Sequence, residues 1–459
     1  MDTSEPAPVL PRLFRGGLVF DGERFRAGVD LRTDAAGRVA EVGPGLRPAA
    51  DEVVVDLDGR WLLPGLVDCH VHFREPGLER KEGYDTGSRG ALHGGVTTVC
   101  EIQNNPPLLT SVALLEAKFA QVGPKSRVDF ACYGSLVEEA LPHLGDLAGR
   151  VPAVKCFLGC STGAGGVDDP ATLRRWFAAA AAAGLPIVAH CEDNAVMQRA
   201  AAELSGIDAE RHDLRRPVEA EVESVRTAIA AAAEVGARLH VFHVSTDDAM
   251  SLVAEARAAG LPVTASTAPH YLSWTADDAA AMPQHRLKVN PSIKSARHRD
   301  GLARRVERGE FVAIGTDHAP HPLTEKTRDY AHAPSGFPSV DLLLPLVFDV
   351  HDRRGVPLEP LLASVTSGPV DEFGLRGKGR LVAGADADLV VVSPHCERLV
   401  DEAALPSRSK WSPYHGRRLR GFPERVFLRG REVFRDGAFP GAPTGRPVPI
   451  VPAAERVAE

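Results

Sequence analysis

The sequence predicts an α/β protein, a (β/α)8 TIM barrel with a small β-sandwich domain formed by its N- and C-terminal segments. Three observations carry that reading. Eight short apolar runs alternate with helical patterns through the middle of the chain. Residues 1–60 are instead short strands joined by Gly- and Pro-containing turns. Residues 380–459 return to that β-rich texture. At 459 residues the chain exceeds the usual single-domain size, so one large unit at 61–379 and a smaller one shared by both ends is the natural division.

Taken in order, the N-terminal strands are expected at Gly17–Phe20, Val29–Arg32, Val39–Val42 and Val53–Asp56. The barrel strands are expected at Leu66–His72, Val96–Ile102, Val128–Tyr133, Ala153–Leu158, Pro186–His190, Leu239–Val244, Pro262–Thr267 and Phe311–Thr316. Helical patterns separate most of them. In Glu221–Val235, Val222, Val225, Ile229 and Ala232 recur at the three-and-four spacing of a buried helical face; Leu114–Val122 is a second example. Strands alternating with helices imply a parallel sheet, and the closed solution for eight is the barrel. Asp388–Val392 and the run Val426–Val433 then return to the small domain, as chain ends that lie close together allow. The Ala178–Ala183 run reads as ordinary helix.

Composition narrows the function classes. Apolar content of 44% and charged content of 25% are those of a soluble globular protein. The net charge is −8, and no segment concentrates Lys and Arg with interleaved aromatics, which argues against nucleic acid as a partner. The segment Met1–Arg12 is polar and does not read as a signal peptide. The most apolar stretch, Trp176–Ala189, is interrupted by Gly184 and Pro186 and is too short to cross a membrane. Seven cysteines without CxxC spacing fit a reduced, cytoplasmic compartment.

The first cluster that carries chemistry is Asp68-Cys69-His70-Val71-His72-Phe73-Arg74-Glu75-Pro76. Residues two apart on a strand share a face, so His70 and His72 converge, and a barrel of this kind places its site at the C-terminal strand ends. Neutral imidazole suits zinc and similar metals, although an HxH pair alone is a weak signal. Lys155 lies inside the apolar run Val154-Lys155-Cys156-Phe157-Leu158. A buried lysine either pairs with a carboxylate or carries a shifted pKa, and carbamylation by CO2 would give it two oxygens able to bridge metals. His190 ends the fifth strand and His243 the sixth; each alone is more often a satisfied core histidine than a ligand. His240, at an odd offset from His243, is expected to face away. Asp317 ends the eighth strand, where a carboxylate can bind metal and move protons. Four histidines, a lysine and an aspartate at the ends of five strands form a pattern that chance does not readily give.

These motifs resemble the amidohydrolase superfamily and, within it, the dihydroorotases, over nearly the whole chain. The HxH start, Val154-Lys155-Cys156-Phe157-Leu158-Gly159, Ala189-His190-Cys191-Glu192-Asp193, Phe242-His243-Val244-Ser245-Thr246 and Gly315-Thr316-Asp317-His318-Ala319-Pro320-His321 follow the family's order, and Gly384-Ala385-Asp386-Ala387-Asp388-Leu389-Val390 is similar to its return to the small domain. The resemblance implies two divalent metals, zinc by preference, held by His70, His72 and Asp317 on one side and His190 and His243 on the other. Carbamylated Lys155 would bridge them. It implies a hydroxide shared by the metals as nucleophile and Asp317 as general acid/base, opening dihydroorotate to carbamoyl-aspartate or closing it in pyrimidine formation. Arg74, Asn104, Asn290 and His321 would contact the substrate, with Ala333-Pro334-Ser335-Gly336-Phe337-Pro338 lining the pocket through its backbone. A homo-oligomer is implied as well.

Two stretches depart from the pattern. The usual Met-Pro-Asn-Thr is Ile102-Gln103-Asn104-Asn105, and the usual Asn-Pro-Pro-Leu-Arg is Asn290-Pro291-Ser292-Ile293-Lys294. Both bear on the substrate rather than on the metals. The competing readings are an allantoinase or a hydantoinase/dihydropyrimidinase, whose rings lack the carboxylate that Arg74 would grip. A non-catalytic scaffold for a transcarbamoylase would be expected to have lost metal ligands, and all six are present. For Arg74 the plain alternative is a salt bridge to Glu75 or Glu79.

Overall fold

The eight apolar runs close into a barrel in the computed structural model, which describes residues 9–161, 166–205 and 210–456. Its strands are Leu66–Val71, Val96–Glu101, Asp129–Cys132 continued by Gly134–Ser135, Val154–Leu158, Ile187–Cys191, Leu239–Val241, Val263–Thr267 and Ala313–Ile314. The pairs run parallel. The third strand breaks at Tyr133, so its first part pairs with the second strand and its last part with the fourth. Closure comes from a parallel bridge between Val71 and His318. Asp68 fastens that seam, accepting from Thr316 N at 3.0 Å and from Thr316 Oγ1 at 2.5 Å.

Val67, Cys69, Cys100, Tyr133, Val188 and Phe242 fill the barrel interior, and Phe373, Leu375, Val448 and Ile450 pack with them. The chain end therefore supplies part of the barrel floor, where Val448 N donates to Phe130 O at 2.9 Å. Outside, the helix Val218–Val235 stops at Gly236, whose φ of 68° suits a residue without a β-carbon. Its buried stripe is Ala220, Ser224, Val225, Ala228, Ala231 and Ala232. Val222 and Ile229 flank that stripe half-buried, because small residues let the helix sit close to the strands.

The two chain ends form the two-layered small domain. One sheet holds Val39–Gly43, Asp30–Thr33, Arg12–Arg15 and Val53–Asp56. The other interleaves both ends in the order Arg431–Arg435, Pro423–Leu428, Leu389–Val392, Trp61–Pro64, Leu18–Phe20 and Phe25–Ala27. Phe14, Leu31, Val55, Leu62, Val391 and Phe427 pack between them. Trp61–Pro64 belongs to this sheet, so the barrel proper begins at Leu66. The run expected at Val426–Val433 is a hairpin turning at Arg429 and Gly430, both with positive φ. Between its strands the C-terminal part leaves the sandwich: Glu397–Leu399 and Arg418–Arg420 pair as a ribbon beside the barrel helix Leu343–Arg354. Arg417 and Arg420 bind Asp349 and Asp352 there.

Lys378 locks the two units together. Its ammonium, 2% exposed, lies 2.6 Å from Asp129 of the third barrel strand, 2.9 Å from Asp386 and 2.8 Å from Asp388. Removing one partner from a buried ionic cluster leaves charge uncompensated. Lys378→Met is therefore expected to lower unfolding stability by about 3–5 kcal/mol, read as a fall in the urea midpoint, and an unchanged midpoint would show that the cluster is not needed.

All seven cysteines are free, five of them buried. Among the described residues, no helix is long and apolar enough to cross a membrane.

Candidate active site

The strand ends bring the predicted residues together. His70, His72, Arg74, Asn104, Lys155, His190, His243, Asn290 and Asp317 line one pocket with Phe157, Ser161, Val289, Ala319, Ser335 and Gly336. The first strand bulges between Asp68 and Val71. The bulge resets its alternation, so Val67 and Cys69 fill the interior while His70 and His72 face the pocket. Arg74, His243 and Asp317 all have positive φ, at 65°, 42° and 49°. Such backbone is costly for non-glycine residues and is typically retained where a side chain must be aimed.

Asp317 Oδ1 lies 3.3 Å from His70 Nε2 and 3.3 Å from His72 Nε2. His190 Nδ1 lies 3.2 Å from His243 Nε2. Two ligands about 2.0–2.1 Å from a tetrahedral zinc are about 3.3 Å apart, so both groups already stand at ligand spacing. His72 Nδ1 is 2.8 Å from Ile102 O; donating there leaves Nε2 with its lone pair toward Asp317. Burial lowers the pKa of all four imidazoles, and His70 and His243 fall well below the usual histidine value as their neighbours add repulsion. Neutral imidazole is the form that binds a metal.

Lys155 lines the same pocket as both groups, with its ammonium nitrogen buried and without a hydrogen-bond partner among the described residues. Its neighbours are the rings of Phe157 and Phe242, each 4.7 Å away. No carboxylate among the described residues pairs with it, as a structural lysine would require. Burial brings its pKa down to about 7, against the pull of Asp317. A good fraction of the amine is then the free base, the form that adds CO2. An orphaned lysine and two sets of ligand atoms at metal spacing fit a two-metal centre.

Arg74 is 4% exposed. Its Nη1 donates to Asn104 Oδ1 at 2.9 Å, and Nε is buried without a partner. Neither Glu75 nor Glu79 takes it: Glu75 binds Lys125 and Tyr84 N, and Glu79 accepts from Gly77 N. Asn290 Oδ1 is 2.9 Å from His212 Nε2, a residue that no sequence motif singles out. His321 stands one layer back. Its Nε2 is 3.1 Å from Ser335 O and its Nδ1 2.9 Å from Lys81 Nζ, so it braces the pocket wall. Gly336, in that wall, has a φ of 118°, and a β-carbon there would sit 2.6 Å from Ala319 O. His240 takes no part, being bonded to Thr264 and Ser266.

A family model described as "Amidohydrolase family" matches residues 61–413. The chain belongs to the amidohydrolase family. Among curated relatives of this amidohydrolase, an allantoinase of Rubrobacter xylanophilus is 36% identical over 445 residues, 95% of this chain and 96% of that one. A dihydroorotase of Halobacterium salinarum is 35% identical over 447 residues, covering 95% and 99%. Among solved structures, the L-hydantoinase (dihydropyrimidinase) from Arthrobacter aurescens superposes with a TM-score of 0.88 at 28% identity, covering 96% of this chain and all of that one. The amidohydrolase is thus an enzyme of the cyclic amidohydrolase group, and its relatives within the group stand at nearly equal distance.

Glu192, two residues after His190 and with Oε2 3.0 Å from its Nε2, is, like His212, a neighbour of the site that sequence reasoning passed over. The same two-residue spacing that pointed to His70 and His72 was the available signal.

Proposed function

We propose that this amidohydrolase is a dihydroorotase, which reversibly hydrolyses the ring amide of (S)-dihydroorotate to N-carbamoyl-L-aspartate. The observation that carries the reading is the buried Arg74–Asn104 pair in the same pocket as the ligand-type residues. Burial lowers the guanidinium only to about 10, so it is charged at neutral pH. A buried cation with an unused Nε–H calls for an anion. Dihydroorotate brings a carboxylate, whereas allantoin, hydantoin and dihydrouracil do not.

In this reading His70, His72 and Asp317 would hold one divalent metal and His190 and His243 a second, and Lys155, once carbamylated, would supply ligand oxygens to them. When bound, such metals make water a competent nucleophile near neutral pH and polarise a carbonyl. The chain's own residues do the rest. Arg74 and Asn104 grip the carboxylate and set the ring amide over the metal-ligand cluster. Asn290 and the Ser335–Gly336 wall, braced by His321, border the ring. Asp317 takes a proton from the attacking water and passes it to the ring nitrogen as the carbon–nitrogen bond breaks; ring closure runs the same transfer backwards.

The test is ring opening of dihydroorotate, followed by ultraviolet absorbance on protein reconstituted with zinc and bicarbonate, with allantoin, hydantoin and dihydrouracil alongside. Turnover confined to dihydroorotate supports the reading, and turnover on another ring overturns it. Arg74→Met is expected to cut kcat/KM for dihydroorotate by about 10²-fold, the value of hydrogen bonds to a charged group, with metal content unchanged. An unaltered KM would remove Arg74 from carboxylate binding.

A further inference from the structure

Glu192 and Arg216 do none of the chemistry assigned above, yet they are fastened to it. Glu192 is fully buried, with Oε2 3.0 Å from His190 Nε2, off the line of a strict hydrogen bond. The other nitrogen of that imidazole, Nδ1, is the one that faces His243. The carboxylate thus faces the outer nitrogen of the imidazole, Nε2. Arg216 fixes it from the far side, with Nε 3.0 Å from both carboxylate oxygens and Nη2 2.6 Å from Oε2.

Arg216 also reaches the neighbouring loops. Its Nη2 donates to Cys160 O at 2.7 Å, beyond the fourth strand. Its own carbonyl accepts from Ser292 Oγ at 2.9 Å and from Lys294 Nζ, beyond the seventh. Ser292 and Lys294 are two of the three positions where the sequence departs from Asn-Pro-Pro-Leu-Arg. Here hydroxyl and ammonium lie 2.6 Å apart and share one carbonyl. One residue thus ties together the segments after strands four, five and seven.

We propose that Glu192 is a positioning residue: it keeps the proton of His190 on Nε2, so that Nδ1 presents its lone pair to the second metal, while Arg216 holds the Glu192 carboxylate in place. A carboxylate behind a ligand histidine fixes its tautomer, orients the ring and raises its basicity. The inference rests on the two-metal reading above.

The test uses the full-length protein loaded with Co2+ and bicarbonate and titrated with EDTA, with metal per chain and the visible cobalt bands recorded together. The wild type is expected to hold two metals. In Glu192→Gln one of them should leave at roughly 10- to 100-fold lower chelator concentration, with its bands shifted and the other metal undisturbed. Arg216→Lys, which keeps the charge but loses the planar fork, should move the same metal in the same direction by less. Wild-type release and spectra in Glu192→Gln would overturn the proposal and leave the two-metal reading intact. If the wild type binds no metal that His190→Ala removes, the two-metal reading itself fails and the proposal falls with it. Should Glu192→Gln not fold, unchanged release and spectra in Arg216→Lys overturn the proposal by themselves.

Discussion

Lys155→Ala is expected to bring turnover to background and to strip metal from the purified protein. The loss should exceed the roughly 10- to 100-fold that removal of an outer-shell partner costs, because Lys155 shares the pocket with both ligand groups and is the one lysine among its described lining residues. The ammonium has no hydrogen bond to lose, so the substitution leaves no buried polar partner unsatisfied. What goes is the only group there that CO2 can convert into a pair of oxygens. Formate, acetate or propionate should therefore restore part of both metal content and rate by supplying a carboxylate in the space the side chain vacates. Metal analysis beside the dihydroorotate assay decides the matter: an alanine variant with full metal and normal turnover would remove Lys155 from the centre.

Asp317→Asn is expected to cost about 10²- to 10⁴-fold in kcat, the usual worth of a positioned proton carrier. The backbone at Asp317 has a φ of 49°, and asparagine is among the few residues that adopt such a conformation readily. The substitution should therefore leave the strand end in place, so that the rate loss reports chemistry rather than strain. Circular dichroism should match the wild type. The amide can still offer an oxygen between His70 and His72 but cannot accept and return a proton at that site. Near-normal kcat would exclude Asp317 from proton transfer.

Much of this was legible in the sequence because barrel strands are short, apolar and regularly spaced, and because ligand-type residues interrupt them at their C-terminal ends. His70, His72, Lys155, His190, His243 and Asp317 stood out as polar residues where the local pattern calls for apolar ones. What the sequence concealed depends on partners far along the chain. The bulge that turns His70 and His72 toward the pocket is a matter of pairing with the second strand. The hairpin at Arg429 and Gly430 sits inside a β-rich run whose turn signal is the single glycine Gly430, which a bulge within one strand would also explain. Glu192 looked like an ordinary polar residue until Arg216, on a distant segment, was seen to hold it. The ribbon at Glu397–Leu399 and Arg418–Arg420 was missed for the same reason: its short strands are specified by the barrel helix beside them.

The sheet that joins the two chain ends also dictates an order of assembly. Pro64 pairs with Leu389, so about 325 residues must be made before that contact can form, some 15–65 s of synthesis at about 5–20 residues per second. Until then Trp61–Pro64 lacks its antiparallel neighbour and offers an open, apolar edge during translation. The barrel floor waits longer still, for Val448 and Ile450. Contacts of such sequence separation form slowly, so the newly made chain has a long interval in which self-association competes with folding. Expression at reduced temperature or with chaperones in excess should raise the soluble yield through this interval, without any change in the stability of the finished molecule.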